Sequence, residues 1–570
     1  MTEPSPSTDF AVALLGEFVR LGVRHVVLSP GSRSQALALA AEALERAGVL
    51  TLNVRIDERV AGFLALGLAV ETGVPVLVIT TSGTAVANLH PSVLEAHHSG
   101  VPIILLTADR PEELHGIGSN QTTEQFGIFG PAVRFAREVE APSHGGFSRA
   151  YPRELANAAF LAAAGHSGAA GPVQVNLAFR EPLSGPIDQG SLAGIAPGFP
   201  RPHAAAAPPF RIGLAAGTVV IAGHAAGARA EEVARALGAP LIAEVSSGSH
   251  FGPNLVVAYR ELLGDPEFGG RVRRVVVFGH PTLSRQVPAL VGRADVETIV
   301  VRGPAAEDYN PAHGVARFTD ALEVDAAPLD SGEARAWLGS WVVASRALLE
   351  ADSGPVPVDA RTDDRGAVAG FARAQLAVFR QPVTRRMLVE ALWQKTWPHD
   401  RLVLGASRLI READQYVPGK KIRVHSNRGL SGIDGTIATA TGIALASQAA
   451  PAGGSAVDNS ASGVTRVLLG DLAALHDVGA LLSSPGEPEP RMQLVIGNDG
   501  GGTIFDGLEV AASARQDAVD RVLYTPHSVK FSALAEAYGW NYVLAGNRGE
   551  LDEALSDGGG RTIIEVPLPR

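Results

Sequence analysis

The chain has 570 residues, a formal net charge of −11 and no cysteine. Its acidity argues against a surface for non-specific nucleic-acid or anionic-membrane binding. The missing cysteines exclude disulfide frameworks, thiolate metal sites and Cys nucleophiles, and fit a reducing compartment.

Length and ordinary apolar content allow about three to four packed domains. Lys is scarce, so an anionic substrate must be met by local arginines. Met1–Asp9 is polar and rich in Ser and Pro, without the basic and apolar regions of a signal peptide. The apolar runs Val74–Ile79 and Val101–Leu106 are too short to span a bilayer. A cytoplasmic protein without membrane insertion is expected.

Residues 10–180 alternate short β-branched runs with helical patterns. Strands are predicted at Val23–Leu28, Leu52–Ile56, Val76–Thr80, Ile103–Thr107 and Val173–Leu177, with helices at Ala36–Ala47 and Val60–Val70 among them. This alternation predicts a parallel sheet covered on both faces. Ser184–Pro209, dense in Pro, Gly and Ala, reads as a linker. A second α/β region has strands at Val219–Ala222, Leu241–Val245, Val275–Phe278 and Thr298–Val301. The third has Leu402–Leu404, Arg423–His425, Val467–Leu469, Gln493–Ile496 and Thr562–Val566, with a small-residue loop at Pro451–Thr465. The expected fold class is α/β, with three doubly wound parallel-sheet domains: 1–185, 186–350 and, after a linker at 351–382, 383–570.

The outer regions resemble each other faintly. Ala65-Leu-Gly67-Leu-Ala69 precedes a strand ending in a Gly turn, and so does Ala440-Thr-Gly442-Ile-Ala444. Duplication and the general likeness of doubly wound domains both account for this.

The sharpest chemical signal lies in the third region. One strand runs into Gly470-Asp471 and another into Gly497-Asn498-Asp499-Gly500-Gly501-Gly502. Ligands of open parallel sheets bind beyond the carboxyl ends of strands. A carboxylate, an amide oxygen and a glycine carbonyl there are hard ligands suited to Mg²⁺. Nearby helix N-termini and glycine amides could hold phosphates. An ordinary N-cap beside a glycine turn explains either piece taken alone. No P-loop competes, because Gly419-Lys420 is followed by Lys421. In the first region the strand Leu52–Ile56 ends in Asp57-Glu58-Arg59, placing Glu58 at a helix start. The spacings of His90, His97, His98 and His476 match no zinc motif, and all four read as core or surface residues.

The paired third-region turns resemble the metal–diphosphate motif of thiamine-diphosphate enzymes, with Leu472 and Gly497 as departures from its commonest form. Ser29-Pro-Gly-Ser-Arg-Ser34, Asp57-Glu-Arg59, Thr107-Ala-Asp-Arg-Pro111, Ser119-Asn-Gln121, Ser426-Asn-Arg-Gly429, Ser431-Gly-Ile-Asp434 and Gly470-Asp-Leu472 together resemble one family. It is the 2-succinyl-5-enolpyruvyl-6-hydroxy-3-cyclohexene-1-carboxylate synthases of menaquinone biosynthesis, and the resemblance spans nearly the whole chain. It implies a pyrimidine-binding first domain, a central α/β domain and a diphosphate- and metal-binding third domain. It implies a transferase that decarboxylates 2-oxoglutarate on thiamine diphosphate and adds the remaining unit to isochorismate in a conjugate, Stetter-like fashion. Glu58 would be the catalytic carboxyl, hydrogen-bonded to the aminopyrimidine of the cofactor; desolvation would raise its pKa toward a useful range. Asp471, Asn498 and Gly500 would hold Mg²⁺ or Mn²⁺. Gly405, Ser407, Ile433, Leu472, Ala473, Ile504 and Phe505 would bound the cofactor, with Ile433 as the wedge that bends it. Both substrates are dianions, and Ser32, Arg33, Arg110, Asn120, Gln121, Arg285, Ser407, Arg411 and Arg428 would bind them. A homodimer or dimer of dimers with sites between subunits is also implied. An acetolactate synthase-like carboligase is the alternative, weakened by the arginine-rich loops, since pyruvate has one carboxylate.

Overall fold

Short β-branched runs between helices bury their apolar faces by lying parallel under helices on both sides, and this chain does so three times. The computed structural model describes residues 5–143, 148, 150–166, 168–198, 208–305, 307–325, 332–352, 377, 379–449 and 463–570. Most of the linker expected at 351–382 and of the loop expected at Pro451–Thr465 lies outside them.

The first sheet contains β1 (His25–Leu28), β2 (Thr51–Val54), β3 (Val76–Thr80), β4 (Ile103–Asp109), β5 (Phe135–Val139) and β6 (Val173–Ala178). They are all parallel, in the order β2-β1-β3-β4-β6-β5. The central domain adds β7 (Phe210–Ile212), β8 (Thr218–Ala222), β9 (Leu241–Ala243), β10 (Arg274–Phe278), β11 (Glu297–Val301), β12 (Arg317–Thr319) and β13 (Leu322–Val324). Five of these form the sheet β12-β11-β10-β8-β9, and β13 pairs with β7. The third sheet contains β14 (Arg401–Leu404), β15 (Arg423–His425), β16 (Thr465–Gly470), β17 (Met492–Asn498), β18 (Asn541–Leu544) and β19 (Arg561–Pro567). Its order, β15-β14-β16-β17-β19-β18, repeats that of the first sheet strand for strand.

The sequence reading omits the short strands β7, β12 and β13 of the central domain, and β5 and β18, which occupy the same edge position in the two outer sheets. Edge strands face water on one side: Phe135–Val139 mixes charged with apolar residues, and Asn541–Leu544 is a short run that stays partly exposed. The stretch read as a linker is partly packed: Ile195 is buried, and a Cβ on Gly16 of the first helix would meet its side chain at 2.6 Å.

The helices Glu58–Thr72 and Thr436–Gln448 are apolar nearly all round, the pattern of a fully buried helix. They cross face to face and merge the first and third domains into one core. A Cβ on Gly67 would stand 2.0 Å from the Thr439 carbonyl oxygen, and one on Gly442 would stand 2.2 Å from that of Leu64. Each glycine therefore meets the residue three before the other. The two small-residue segments singled out in the sequence are partners across a pseudo-twofold axis.

Charged groups lock the same interface. The buried pair Arg55–Glu487 is 2.7 Å apart. Glu71, 7% exposed, accepts from Arg401 Nη2 at 2.6 Å and Nε at 2.9 Å, with Arg423 at 3.2 Å and His425 at 3.4 Å. Burial alone would raise the Glu71 carboxyl, but hydrogen bonds from His425 and Arg401 overcome it and hold it at about 2. A carboxyl depressed in the folded chain stabilises fully above its ordinary value, and that contribution fades as pH falls toward the folded one. Glu71→Gln is therefore expected to be less stable than the parent near neutrality. The difference should shrink below about pH 4.5, as read by urea denaturation across pH.

Candidate active site

In both outer sheets the chain leaves the central strand first to one side and then to the other. The crevice beyond the carboxyl ends of those strands is where an open α/β sheet receives ligands. The loops after β1 and β3 meet there in the first domain, so closely that a Cβ on Gly31 would stand 2.2 Å from Thr81. Arg33 donates to the Phe179 carbonyl at 2.9 Å. Arg110 donates to the Ser82 hydroxyl and the Gln121 carbonyl. Gln121, in the left-handed region at φ 54°, donates to the Ser82 carbonyl at 3.0 Å. Burial and the neighbouring Arg110 lower the Arg33 guanidinium from its ordinary value. The structure thus gathers Arg33, Arg110 and Gln121, and adds Ser82, a residue that no sequence pattern singled out. Ser32 and Asn120 are exposed beside them.

Glu58 opens the Glu58–Thr72 helix, whose N-cap Asp57 accepts from the Arg59 and Val60 amides. Among the described residues its hydrogen-bond partner is Asn88, at a weak 3.5 Å. It is half-buried, so the desolvation expected for it is incomplete in the single chain. Beside it Ile56 is 74% exposed, an apolar side chain left open at the same edge.

In the third domain Asp471 starts the helix Asp471–His476 and is almost fully buried. Its Oδ1 accepts from the Leu472 amide at 2.7 Å, and its Oδ2 lies 3.1 Å from His527 Nε2. Burial raises this carboxyl above its ordinary value. On the adjacent strand, Asn498 donates to Glu565 at 2.7 Å while its Oδ1 accepts from the Gly500 amide at 3.1 Å. Arg385 pairs with Asp499 at 2.7 Å, the Tyr524 hydroxyl donates to the Asp499 carbonyl, and the Gly502 amide donates to that of Tyr524 at 2.7 Å. A Cβ on Gly501 would stand 2.4 Å from the Tyr524 carbonyl oxygen, so the turn tolerates no side chain there. A buried carboxylate, an amide oxygen and a clamped glycine turn on neighbouring strands fit a hard divalent cation and a diphosphate.

Leu472 is half-buried and Ala473 buried on the same helix, and Ile504 and Phe505 follow the glycine turn. Ser407 caps the Arg408–Tyr416 helix through the Leu409 amide at 3.2 Å, just beyond buried Gly405. Ile433 is 39% exposed. Arg411 donates to the Ser407 carbonyl at 3.0 Å. Arg428 is only 2% exposed, and its guanidinium donates to Thr282 Oγ1 at 2.8 and 2.9 Å. Arg285 lies on the surface against Glu509 at 2.9 Å. Among the described residues no three of His, Cys, Asp or Glu gather as a metal cluster. The histidines read as structural behave so: His97 bonds the Ala132 carbonyl and His90 packs edge-on against Phe129.

Comparison with known proteins adds four findings. Residues 9–128 match the family model of the thiamine pyrophosphate enzyme N-terminal TPP binding domain. The chain is 57% identical to the 2-succinyl-5-enolpyruvyl-6-hydroxy-3-cyclohexene-1-carboxylate synthase of Leifsonia xyli subsp. xyli, covering 99% of this chain and 97% of that one. It is equally 57% identical to the synthase of that name from Clavibacter michiganensis subsp. michiganensis, with the same coverage. The solved structure of benzoylformate decarboxylase from Polynucleobacter necessarius shares the fold, with TM-score 0.64 over 100% of this chain and 99% of that one, at 16% identity.

Proposed function

This chain belongs to the 2-succinyl-5-enolpyruvyl-6-hydroxy-3-cyclohexene-1-carboxylate synthase family of thiamine-diphosphate enzymes, and from that premise we propose how its residues carry the reaction. The activity releases CO₂ from 2-oxoglutarate and joins the remaining four-carbon unit to isochorismate, in menaquinone biosynthesis. An acetolactate synthase-like activity, the other reading the motifs left open, is set aside in favour of the one its 57%-identical relatives carry by name.

The observation that carries the site assignment is the buried Asp471 at the end of β16, beside the Asn498–Gly502 turn at the end of β17. Asp471 Oδ2, Asn498 Oδ1 and the Gly500 carbonyl would hold Mg²⁺ or Mn²⁺, and the glycine amides would face the diphosphate. His527, 3.1 Å from the same Oδ2, and the Leu472 amide on Oδ1 orient Asp471. Bound thiamine diphosphate supplies the electron sink that decarboxylation of a 2-oxo acid requires. Glu58 holds the proton exchanged with the aminopyrimidine ring. Arg33, Arg110, Arg411 and Arg428 grip the carboxylates of the two dianions, with Ser32, Asn120, Gln121 and Ser407 as polar partners; Arg285, on the surface of the central domain, would have to leave Glu509 to join them. Gly405, Ile433, Leu472, Ala473, Ile504 and Phe505 line the cofactor and keep water from the reacting carbon.

We assign the working form as a homodimer or dimer of dimers, with Glu58 of one subunit facing the metal turn of the other. The half-buried state of Glu58 and the exposed Ile56 and Ile433 support this. Among the described residues no helix is long and apolar enough to cross a membrane, and we place the enzyme in the cytoplasm, which its lack of cysteine fits.

The test is loss of isochorismate absorbance with purified protein, thiamine diphosphate, Mg²⁺ and 2-oxoglutarate. Loss that requires both 2-oxoglutarate and cofactor is expected; loss with pyruvate in place of 2-oxoglutarate would overturn the substrate assignment. Calorimetry tests the metal site. Asp471→Ala is expected to weaken Mg²⁺-dependent cofactor binding by more than the roughly 10–100-fold that removal of an outer-sphere partner costs. Unchanged affinity would remove Asp471 from the metal.

A further inference from the structure

Behind the arginines assigned to the substrate carboxylates lies a buried acid pair that the reaction itself does not call on. Glu244, just past β9, is fully buried. Its Oε1 accepts the Thr282 amide at 2.7 Å and the Leu283 amide at 2.6 Å, and its Oε2 has no hydrogen-bond partner among the described residues. Asp414, on the Arg408–Tyr416 helix, is equally buried. It accepts from the Val245 amide and the Tyr259 hydroxyl, both at 2.7 Å, and from Arg260. Arg428 grips the same Thr282 through its hydroxyl and its carbonyl, and its Nη1 is buried without a partner. Glu244 and Arg428 thus both hold Thr282, one through its amide and the other through its hydroxyl and carbonyl, each with one atom unsatisfied among the described residues, at the base of the turn that carries Arg285.

We propose that Glu244 is a positioning residue for substrate binding: as a neutral acid it fixes the Thr282–Arg285 turn and leaves Arg428 free of its charge, and once ionised it draws Arg428 away from the substrate carboxylate. The inference rests on the reading of Arg411 and Arg428 as carboxylate contacts. Burial, and then the Asp414 carboxylate, push the Glu244 carboxyl up to about 8. The other charged or titratable groups around it are Arg428, Arg260, Tyr259 and Tyr309. With Glu244 neutral, three guanidiniums (Arg260, Arg411 and Arg428) face two carboxylates, Asp414 and Glu95, and a net positive charge is left for a substrate carboxylate. With Glu244 ionised, that excess is cancelled inside the protein.

The experiment is steady-state kinetics of the full chain with thiamine diphosphate and Mg²⁺, from neutral to alkaline pH. In the parent the KM for 2-oxoglutarate or isochorismate should rise roughly tenfold, the size of an ordinary coupling between sites, while kcat follows its own profile. Glu244→Gln keeps the acceptor for both amides and cannot ionise, so its KM profile should be flat. Asp414→Asn retains Glu244 but removes the charge that raises it, so the KM rise should move to lower pH. A parent without the rise, or a Glu244→Gln profile identical to the parent's, overturns the inference. Arg428→Gln separates the two readings. A raised KM at every pH upholds the carboxylate contact whatever Glu244 does; an unchanged KM for both substrates removes that contact and the inference with it.

Discussion

Glu58→Gln should fold, bind thiamine diphosphate with Mg²⁺ and yet turn over roughly 10²–10⁴-fold more slowly, the range for loss of a positioned proton-transfer group. The amide has the size and shape of the carboxyl but can neither take up nor release a proton at the working pH. Glu58 begins its helix and is held in place by backbone geometry and the Asp57 cap, and among the described residues it forms no ion pair, so the hydrogen bond the substitution touches there is the long one to Asn88. Calorimetry should give a cofactor affinity close to the parent's, while the isochorismate assay gives almost no rate. Parent-like turnover would remove Glu58 from the chemistry.

Gly67→Ala should be strongly destabilising for a single added methyl. Its Cβ would lie 2.0 Å from a backbone oxygen of the facing helix, and no rotamer change can relieve a clash with backbone. Helix propensity favours alanine by about 1 kcal/mol, but overpacking costs about 1–3 kcal/mol or more. Here the two domains must separate to admit the methyl, so a net loss of at least about 2 kcal/mol is expected. Gly442→Ala should behave alike, since its Cβ would meet the Leu64 oxygen at 2.2 Å. Gly339, in the helix Gly332–Asp352 with open space around its Cβ, is the control: Gly339→Ala should be neutral or stabilising by up to about 1 kcal/mol. Denaturation midpoints decide it, and equal effects at Gly67 and Gly339 would refute the close crossing.

The residues of the site were legible to different degrees, for physical reasons. Gly470-Asp471 and Asn498–Gly502 could be read because strand ends punctuated by glycine mark the carboxyl edge of a parallel sheet, where ligands bind. Arg33 and Arg110 could be read from loop motifs, and the fold brings them together. Ser82 and His527 were not legible: a serine in a turn and a histidine between helices acquire meaning only from what they touch, here Arg110 and Asp471. Glu244 was less visible still, since a lone acid at a strand end reads as an ordinary surface residue.

The sequence by itself determined most of the local elements, the three-fold repetition of parallel sheets and which residue types stand in the strand-end loops. Side-chain period, β-branching and glycine punctuation are properties of neighbouring residues, and they survive without knowledge of the rest of the chain. Only the tertiary structure decided which buried faces meet. It paired Gly67 with Thr439 and Gly442 with Leu64, filled the edge positions with β5 and β18, and seated Arg428 on Thr282 of another domain. Periodicity says that a helix face or a charge must be covered but not by what. That choice is made by packing and by electrostatic compensation between residues hundreds of positions apart, where a backbone oxygen 2 Å from a missing methyl decides whether two domains can share one core.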